Sequence, residues 1–145
     1  MSGDDAEPRA AHQQGGQLTS QAWFYRIPAA RGPVSGELRL EGDRLTFTAT
    51  GRASDSMAEH LEELSDESGL AGRLLRGEPS KVLDARLEEV KIRFPVLAFG
   101  ATMQVRRGDH LYRLAFYDPR TAWQGMFRTG IRTGRPWKAA LAPSR

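Results

Sequence analysis

The sequence predicts a mainly β fold with added helices: a bent antiparallel sheet or partly open barrel of about seven strands, closed by a C-terminal amphipathic helix. Segments that alternate apolar and polar residues, separated by turns rich in Gly and Pro, indicate the strands. Between residues 56 and 77 the apolar spacing changes to that of a helix. After the last alternating segment, Asp118-Pro119 begins a second helical pattern, because Asp caps helices and Pro favours their first position.

The first part of the chain predicts a tail and three strands. Residues 1–20 contain almost no large apolar side chain and are predicted to form a disordered tail. Glu41-Gly42-Asp43 predicts a hairpin turn between the second and third strands, since Gly supplies the positive φ of a tight turn. The predicted strands are residues 21–27, 36–40 and 44–50.

Residues 56–77 predict a helical insertion, either one interrupted helix or two short ones. Ser56 and Glu59 match a capping box, in which each side chain satisfies a free backbone amide of the first turn. The segment Asp55–Glu67 contains six acids and no Lys or Arg. A solvated acidic face is predicted, and the alternative is that these acids hold the basic C-terminal segment of the same or another copy.

The remaining pattern predicts four more strands and the closing helix. Trp123 and Ile131 lie on the apolar stripe of that helix, which Gly134 and Pro136 are predicted to end. A single domain is therefore expected over residues 21–133, followed by a basic tail over residues 134–145. The predicted strands are residues 82–85, 90–94, 102–107 and 110–117.

Three short motifs in this order resemble bacterial pleckstrin-homology-like and GRAM-like domains. Gly36–Phe47 looks like their G-x-L-x-L-T-x-x-R-L-x-F hairpin, Leu83–Val90 like their I-P-L-x-D-I-x-x-V strand, and Val105–Phe116 like their I-x-x-x-x-G-x-x-Y-x-F-x-F hairpin. Asp118 and Trp123 stand where that family places a helix cap and a packed tryptophan. The resemblance covers roughly residues 21–131, and the acidic insertion is longer than the family's usual connection. It implies the barrel-and-helix fold and a role in binding phosphoinositides, peptides, proteins or a second copy.

Catalysis and cofactor binding are not predicted. The chain has no Cys, which excludes disulfides, thiolate metal sites and a Cys nucleophile. His12, His60 and His110 share no metal-binding or acid–base motif, and no nucleophile elbow or phosphate-binding Gly loop is present. We therefore expect no enzyme activity, no metal and no cofactor.

Composition predicts the setting of the protein. The net charge is +3, the acidic N-terminus has no apolar run, and Arg far outnumbers Lys, which is typical of GC-rich bacterial genomes. These features predict a bacterial cytoplasmic protein, with the inner face of the membrane as an alternative location. Nucleic acid is not a predicted partner, because the acidic segment opposes it and no RNA-binding sheet motif occurs.

Arginines at predicted turns are the first candidate site. Arg31, Arg44, Arg106 and Arg107 could bind anionic lipid headgroups if they converge, since Arg pairs bidentately with phosphate oxygens. The opposing interpretation is that they are separate, solvated side chains. Sequence alone does not decide between the two.

The apolar connection Phe94–Gly100 is the second candidate site. As an exposed loop, it would present Val96, Leu97 and Phe99 to a partner or a membrane. As a continuation of a strand, it would belong to the core. A core or dimer contact is the favoured prediction.

The predicted function is a non-enzymatic interaction module that binds a protein or peptide partner and could self-associate. One alternative is a peripheral membrane module that binds anionic lipid through the loop arginines. A second is a small-molecule carrier or enzyme with a pocket between sheet and helix.

Overall fold

The computed structural model of the chain describes residues 12–14, 16–27, 32–121 and 124–142. Within these ranges the chain forms strands and helices that account for most residues, joined by short turns. The elements are β1 His12–Gln14, β2 Gln17–Tyr25, β3 Val34–Glu41, β4 Arg44–Ala49, α1 Asp55–Ser65, α2 Leu70–Leu75, β5 Ser80–Arg86, β6 Lys91–Arg93, β7 Thr102–Arg107, β8 His110–Ala115 and α3 Gln124–Leu141.

The strands form one antiparallel sheet in the order β5-β4-β3-β2-β8-β7-β6, with β1 added beside β2. The sheet does not close, so β5 and β6 are its two edges, and a single 3-10 turn at Leu87–Glu89 joins them. The predicted mainly β fold, with an open antiparallel sheet, a helical insertion and a C-terminal helix, is confirmed.

Strand alternation separates the two faces of the sheet, because successive side chains of a strand point to opposite sides. The inner face and the helices that cover it form one continuous core. The largest fully buried side chains are Trp137, Phe24, Phe47, Phe116, Leu38, Leu45, Met57, Leu61, Leu70, Leu74, Leu83 and Met103.

The insertion is two helices rather than one. Helix α1 begins after Ser54, whose hydroxyl accepts a hydrogen bond from the Met57 amide, so the cap lies two residues before the predicted capping box. It ends at Asp66 in the left-handed conformation. The Glu62 carboxylate then accepts a hydrogen bond from the Ala71 amide at 2.8 Å, which ties α2 to α1.

The N-terminal segment is more ordered than predicted. The disorder expected over residues 1–20 does not hold for His12–Gln14 and Gln17–Ser20, which pair as strands. Leu18 is buried, and the hydroxyl of buried Ser20 accepts a hydrogen bond from the Trp137 indole at 2.9 Å. Disorder was predicted because residues 1–20 contain almost no large apolar side chain, whereas Ser20 is held by a tryptophan 117 residues further along the chain.

Helix α3 also extends beyond the predicted end of the domain. It continues through Gly134 and Pro136 to Leu141, so residues 134–141 are helix rather than tail. Trp137 is fully buried and stacks on Phe116, with ring centroids 6.0 Å apart, and therefore closes the inner face. The predicted packed residue Trp123 lies outside the described residues.

Asp118 caps the short 3-10 turn Pro119–Thr121, which precedes α3. Its carboxylate accepts hydrogen bonds from the backbone and side chain of Arg120, within the 3-10 turn Pro119–Thr121. Burial alone would raise the pKa of Asp118, but these hydrogen bonds and the charge of Arg120 outweigh it and lower the pKa.

Candidate interaction surface

The connection between β6 and β7 is a locally hydrogen-bonded turn. Val96–Ala98 form one 3-10 turn in which the Ala98 amide donates to the Pro95 carbonyl and the Phe99 amide to the Val96 carbonyl. Phe99 then adopts a left-handed conformation, with φ of 53°, which is uncommon for a bulky residue. The backbone of this segment is therefore defined by its own hydrogen bonds. We call Val96–Phe99 the apolar turn.

The apolar turn exposes its large side chains. Val96, Leu97 and Phe99 are 78%, 85% and 62% exposed, whereas Phe94 before them packs against the core. The favoured prediction is a core or dimer contact; its core half is wrong for these three residues, and a dimer contact stays a prediction. The reason is local: the turn closes on its own backbone, so the side chains that follow Phe94 point away from the sheet.

The base of the apolar turn is held by two neighbouring elements. The Phe116 amide donates to the Ala101 carbonyl at 2.9 Å, which joins the base to the segment after β8. Helix α3 approaches so closely that a Cβ atom on Gly134 would lie 1.8 Å from the Gly100 carbonyl oxygen. Lys138, on the next turn of α3, lies beside Gly100. The turn thus projects from a rigid base.

Among the predicted loop arginines that the structure describes, Arg106 lies apart from Arg44 and Arg107. The Arg44 guanidinium forms a salt bridge with the Asp84 carboxylate, and Arg107 donates to the Asp84 carbonyl oxygen at 3.3 Å. Arg106 is adjacent to Arg107 in β7, so it lies on the opposite face of the sheet. Arg31 lies outside the described residues. The structure therefore brings Arg44 and Arg107 together around Asp84, whose single carboxylate is shared by Arg44 and Lys81 and offsets one of these three positive charges.

A different set of cations lies together on the outer face of β6, β7 and β8. The register pairs Lys91 with Arg106, and it places Gln104 between Arg93 and Arg113. Adjacent strands lie about 4.8 Å apart, so Arg93 and Arg113 are separated by about 10 Å at their Cα atoms. We call Lys91, Arg93, Arg106 and Arg113 the basic face.

The cations of the basic face form no salt bridge with any described carboxylate. Glu88 and Glu89 line a depression of about 400 Å³ together with Lys91 and Arg106, but the contacts of these two acids are to Arg86. Glu88 forms a salt bridge of 3.9 Å with the Arg86 side chain, and the Arg86 amide donates a 3.0 Å hydrogen bond to the Glu89 carboxylate. A groove of about 320 Å³ lies on the part of this surface formed by β6 and β7 and by the start of β8. Its lining residues are Lys91, Ile92, Arg93, Gln104, Arg106 and Leu111.

Sequence reasoning identified only Arg106 of this set, because it looked for arginines at turns. The alternation within each strand does place Lys91, Arg93 and Arg113 on one face of its own strand. The sequence of one strand does not indicate which strand lies beside it. The proximity of these four cations therefore follows only from the pairing register of the sheet.

Charge is divided unequally along the chain. Residues 1–90 contain ten basic residues (Lys or Arg) and sixteen acidic residues (Asp or Glu). Residues 91–145 contain eleven basic residues and only two acidic residues. The acids of the first part include the surface of α1 and α2, where they line a shallow depression of about 400 Å³. No salt bridge joins these acids to α3 among the described residues, so the predicted clamp on the C-terminal segment is not formed within this part of the chain.

His60 on α1 gives the fold a pH dependence. Its ring lies 6.0 Å from that of Phe24, and burial together with the charge of Arg26 lowers its pKa below the ordinary 6.5, although Glu63 opposes the shift. The unfolded chain therefore takes up a proton first as the pH falls through 6.5, and the free energy of unfolding decreases until the folded-state pKa is reached.

We expect the His60→Gln variant to lose this part of the pH dependence. Urea unfolding of the two proteins between about pH 8 and about pH 5.5 measures it, a range in which most carboxylates stay ionised. His110→Gln, which changes an exposed histidine at the β7–β8 turn, serves as the control. Parallel stability profiles for wild type and His60→Gln would contradict the assignment.

The described residues provide neither a metal centre nor a membrane-spanning helix. Among them, no group of three or more His, Cys, Asp or Glu residues is arranged to hold a metal ion. None of the helices in this part of the chain combines the length and the apolar character needed to cross a bilayer.

Comparison of the chain with protein-family models, curated proteins and solved structures finds no match. The proposed function is therefore argued from the surface that the structure describes.

Proposed function

We propose that this protein is a non-enzymatic interaction module that contacts its partner through the apolar turn. The observation that carries the proposal is the exposure of Val96, Leu97 and Phe99 on a hydrogen-bonded backbone. Fully burying a side chain of this kind is favourable by about 1.5–3 kcal/mol. Because the turn is already ordered, little of that gain is lost to ordering the backbone on binding.

The resemblance to pleckstrin-homology-like and GRAM-like domains supports the same class of function, since those domains act by binding rather than by catalysis. A bacterial cytoplasmic protein that acts there or at the inner face of the membrane remains the proposed setting. The carrier alternative has less support. The inner face of the sheet, where a carried ligand would lie, is filled by Phe24, Phe47, Phe116 and Trp137.

Photo-cross-linking in living cells tests this proposal. A photoreactive benzoylphenylalanine at position 97 should give adducts that the same probe at position 27 does not give. Ile27 is a suitable control site because it is also a strongly exposed apolar residue, 68% exposed, but follows β2 rather than the apolar turn. Equal labelling from both positions, or none from position 97, would refute the proposal.

A further inference from the structure

We propose that the partner of the apolar turn is an anionic lipid bilayer, with Val96, Leu97 and Phe99 entering the interface and the basic face lying against the headgroups. This inference rests on the proposed function, because it names the partner of the same surface. It also differs from the prediction made from sequence, which assigned anionic lipid to Arg31, Arg44, Arg106 and Arg107.

The apolar turn and the basic face are parts of one continuous surface. Arg93 is the last residue of β6 and stands three residues before Val96, and its register partner Gln104 lies near the start of β7. On the other side of the turn, Lys138 of α3 lies beside Gly100. Cations therefore flank the exposed apolar side chains on both sides.

The charge of this surface suits an extended anionic layer. Its four cations are spread over three neighbouring strands, which places them along a surface rather than in one loop. They also lack carboxylate partners in the described ranges, so binding would not first require breaking a salt bridge. Each cation near an anionic leaflet adds to the attraction, and the sum falls as salt rises.

The shape of the surface favours a bilayer over an acidic peptide. Peptides are bound in grooves that surround their side chains or along free sheet edges. The free edge beside the apolar turn, β6, is only three residues long and offers little backbone for a peptide strand to pair with. Here the apolar groups project outward, and four of the six residues that line the groove beside them are polar or charged. A projecting apolar group beside cations matches the way that peripheral proteins enter a membrane interface.

Co-sedimentation with vesicles tests the inference. Wild-type protein should bind phosphatidylcholine vesicles that contain phosphatidylglycerol, and should bind pure phosphatidylcholine vesicles weakly or not at all. Removing two cations with Arg93→Gln and Arg113→Gln together should weaken binding to the anionic vesicles by about 30-fold. Leu97→Ser should weaken it as well, without changing its salt dependence. Added NaCl should reduce wild-type binding.

The matched control removes two cations elsewhere. Arg52 and Arg76 are exposed and are both located near Gly77, away from β6, β7 and β8. The Arg52→Gln, Arg76→Gln protein has the same net charge as the basic-face variant and should bind like wild type. Equal losses in the two variants would show that only net charge matters and would overturn the inference. Thermal melting of each variant excludes unfolding as the cause.

The two proposals fail in different ways. Suppose that position 97 forms adducts with a protein, or with a second copy of this chain, and the protein does not bind vesicles. The proposed interaction module is then supported, and the proposed bilayer partner is refuted. If position 97 forms no adduct and the vesicles do not bind, both fall. Lipid adducts at position 97 together with binding that depends on Arg93 and Arg113 would support both.

Discussion

Replacing Gly134 with alanine is expected to destabilise the fold by about 3 kcal/mol, because the added methyl group has no space. Its Cβ atom would lie 1.8 Å from the Gly100 carbonyl oxygen and 2.8 Å from the Phe116 ring. The Gly100 oxygen belongs to the backbone and cannot rotate away as a flexible side chain could. Helix α3 would have to move outward, and Trp137, one turn later, would move with it. Urea unfolding measures the change in the free energy of unfolding.

Gly72→Ala is the matched control for that substitution. Gly72 lies in α2, and the nearest atom to a Cβ added there would be the end of the Arg76 side chain, at 3.4 Å. Alanine favours a helix interior over glycine, so this variant should be more stable by about 0.5–1 kcal/mol. If Gly134→Ala were as stable as Gly72→Ala, the close approach of α3 to Gly100 would be incorrect.

Trp137→Ala is expected to cost about 3–5 kcal/mol, the usual range for deleting a large buried aromatic side chain. Trp137 is fully buried, stacks on Phe116, and donates a hydrogen bond to Ser20. Loss of the ring leaves a cavity between α3 and the inner face of the sheet. Chemical denaturation measures the decrease in the free energy of unfolding. A decrease smaller than that caused by Leu141→Ala, which removes a half-buried side chain, would contradict the role assigned to Trp137.

A double-mutant cycle isolates the indole hydrogen bond. Trp137→Phe removes the donor but keeps an aromatic ring. Ser20→Ala removes the acceptor, so the buried indole N–H has lost its hydrogen-bond partner, and the free energy of unfolding should decrease by about 1–3 kcal/mol. In the Trp137→Phe background, Ser20→Ala should cost much less, because no N–H remains to be satisfied. Strictly additive effects would show that the 2.9 Å contact contributes nothing.

The fold could be predicted well where the signal is local. The alternation of Leu45 and Phe47 with polar residues identifies β4 without knowledge of its neighbours, and Gly42 and Gly108 mark hairpins with φ of 62° and 61°. Prediction failed at both ends of the domain. Ser20 lay in the segment predicted to be disordered, and Gly134 with Pro136 were predicted to end a helix. Both predictions failed because the contacts that order these residues are made to residues far away in the sequence.

The candidate surface was predictable only in part. The apolar composition of Val96, Leu97 and Phe99 marked the segment, but composition is the same for a core strand and an exposed turn. Its exposure depends on the 3-10 hydrogen bonds and on Phe94 filling the core position. Arg44 illustrates the opposite error, since a turn arginine that looked available for a ligand forms a salt bridge with Asp84.

The sequence by itself determined the class of fold, the places where strands alternate and turn, and the absence of cysteine chemistry. These follow from the period of two residues in a strand and from backbone conformations that only certain residues favour. The tertiary structure alone decided which cations stand together and where α3 ends. Lys91, Arg93, Arg106 and Arg113 become one surface only through strand register, and α3 continues past Pro136 because burial of Trp137 offsets the lost helical hydrogen bond.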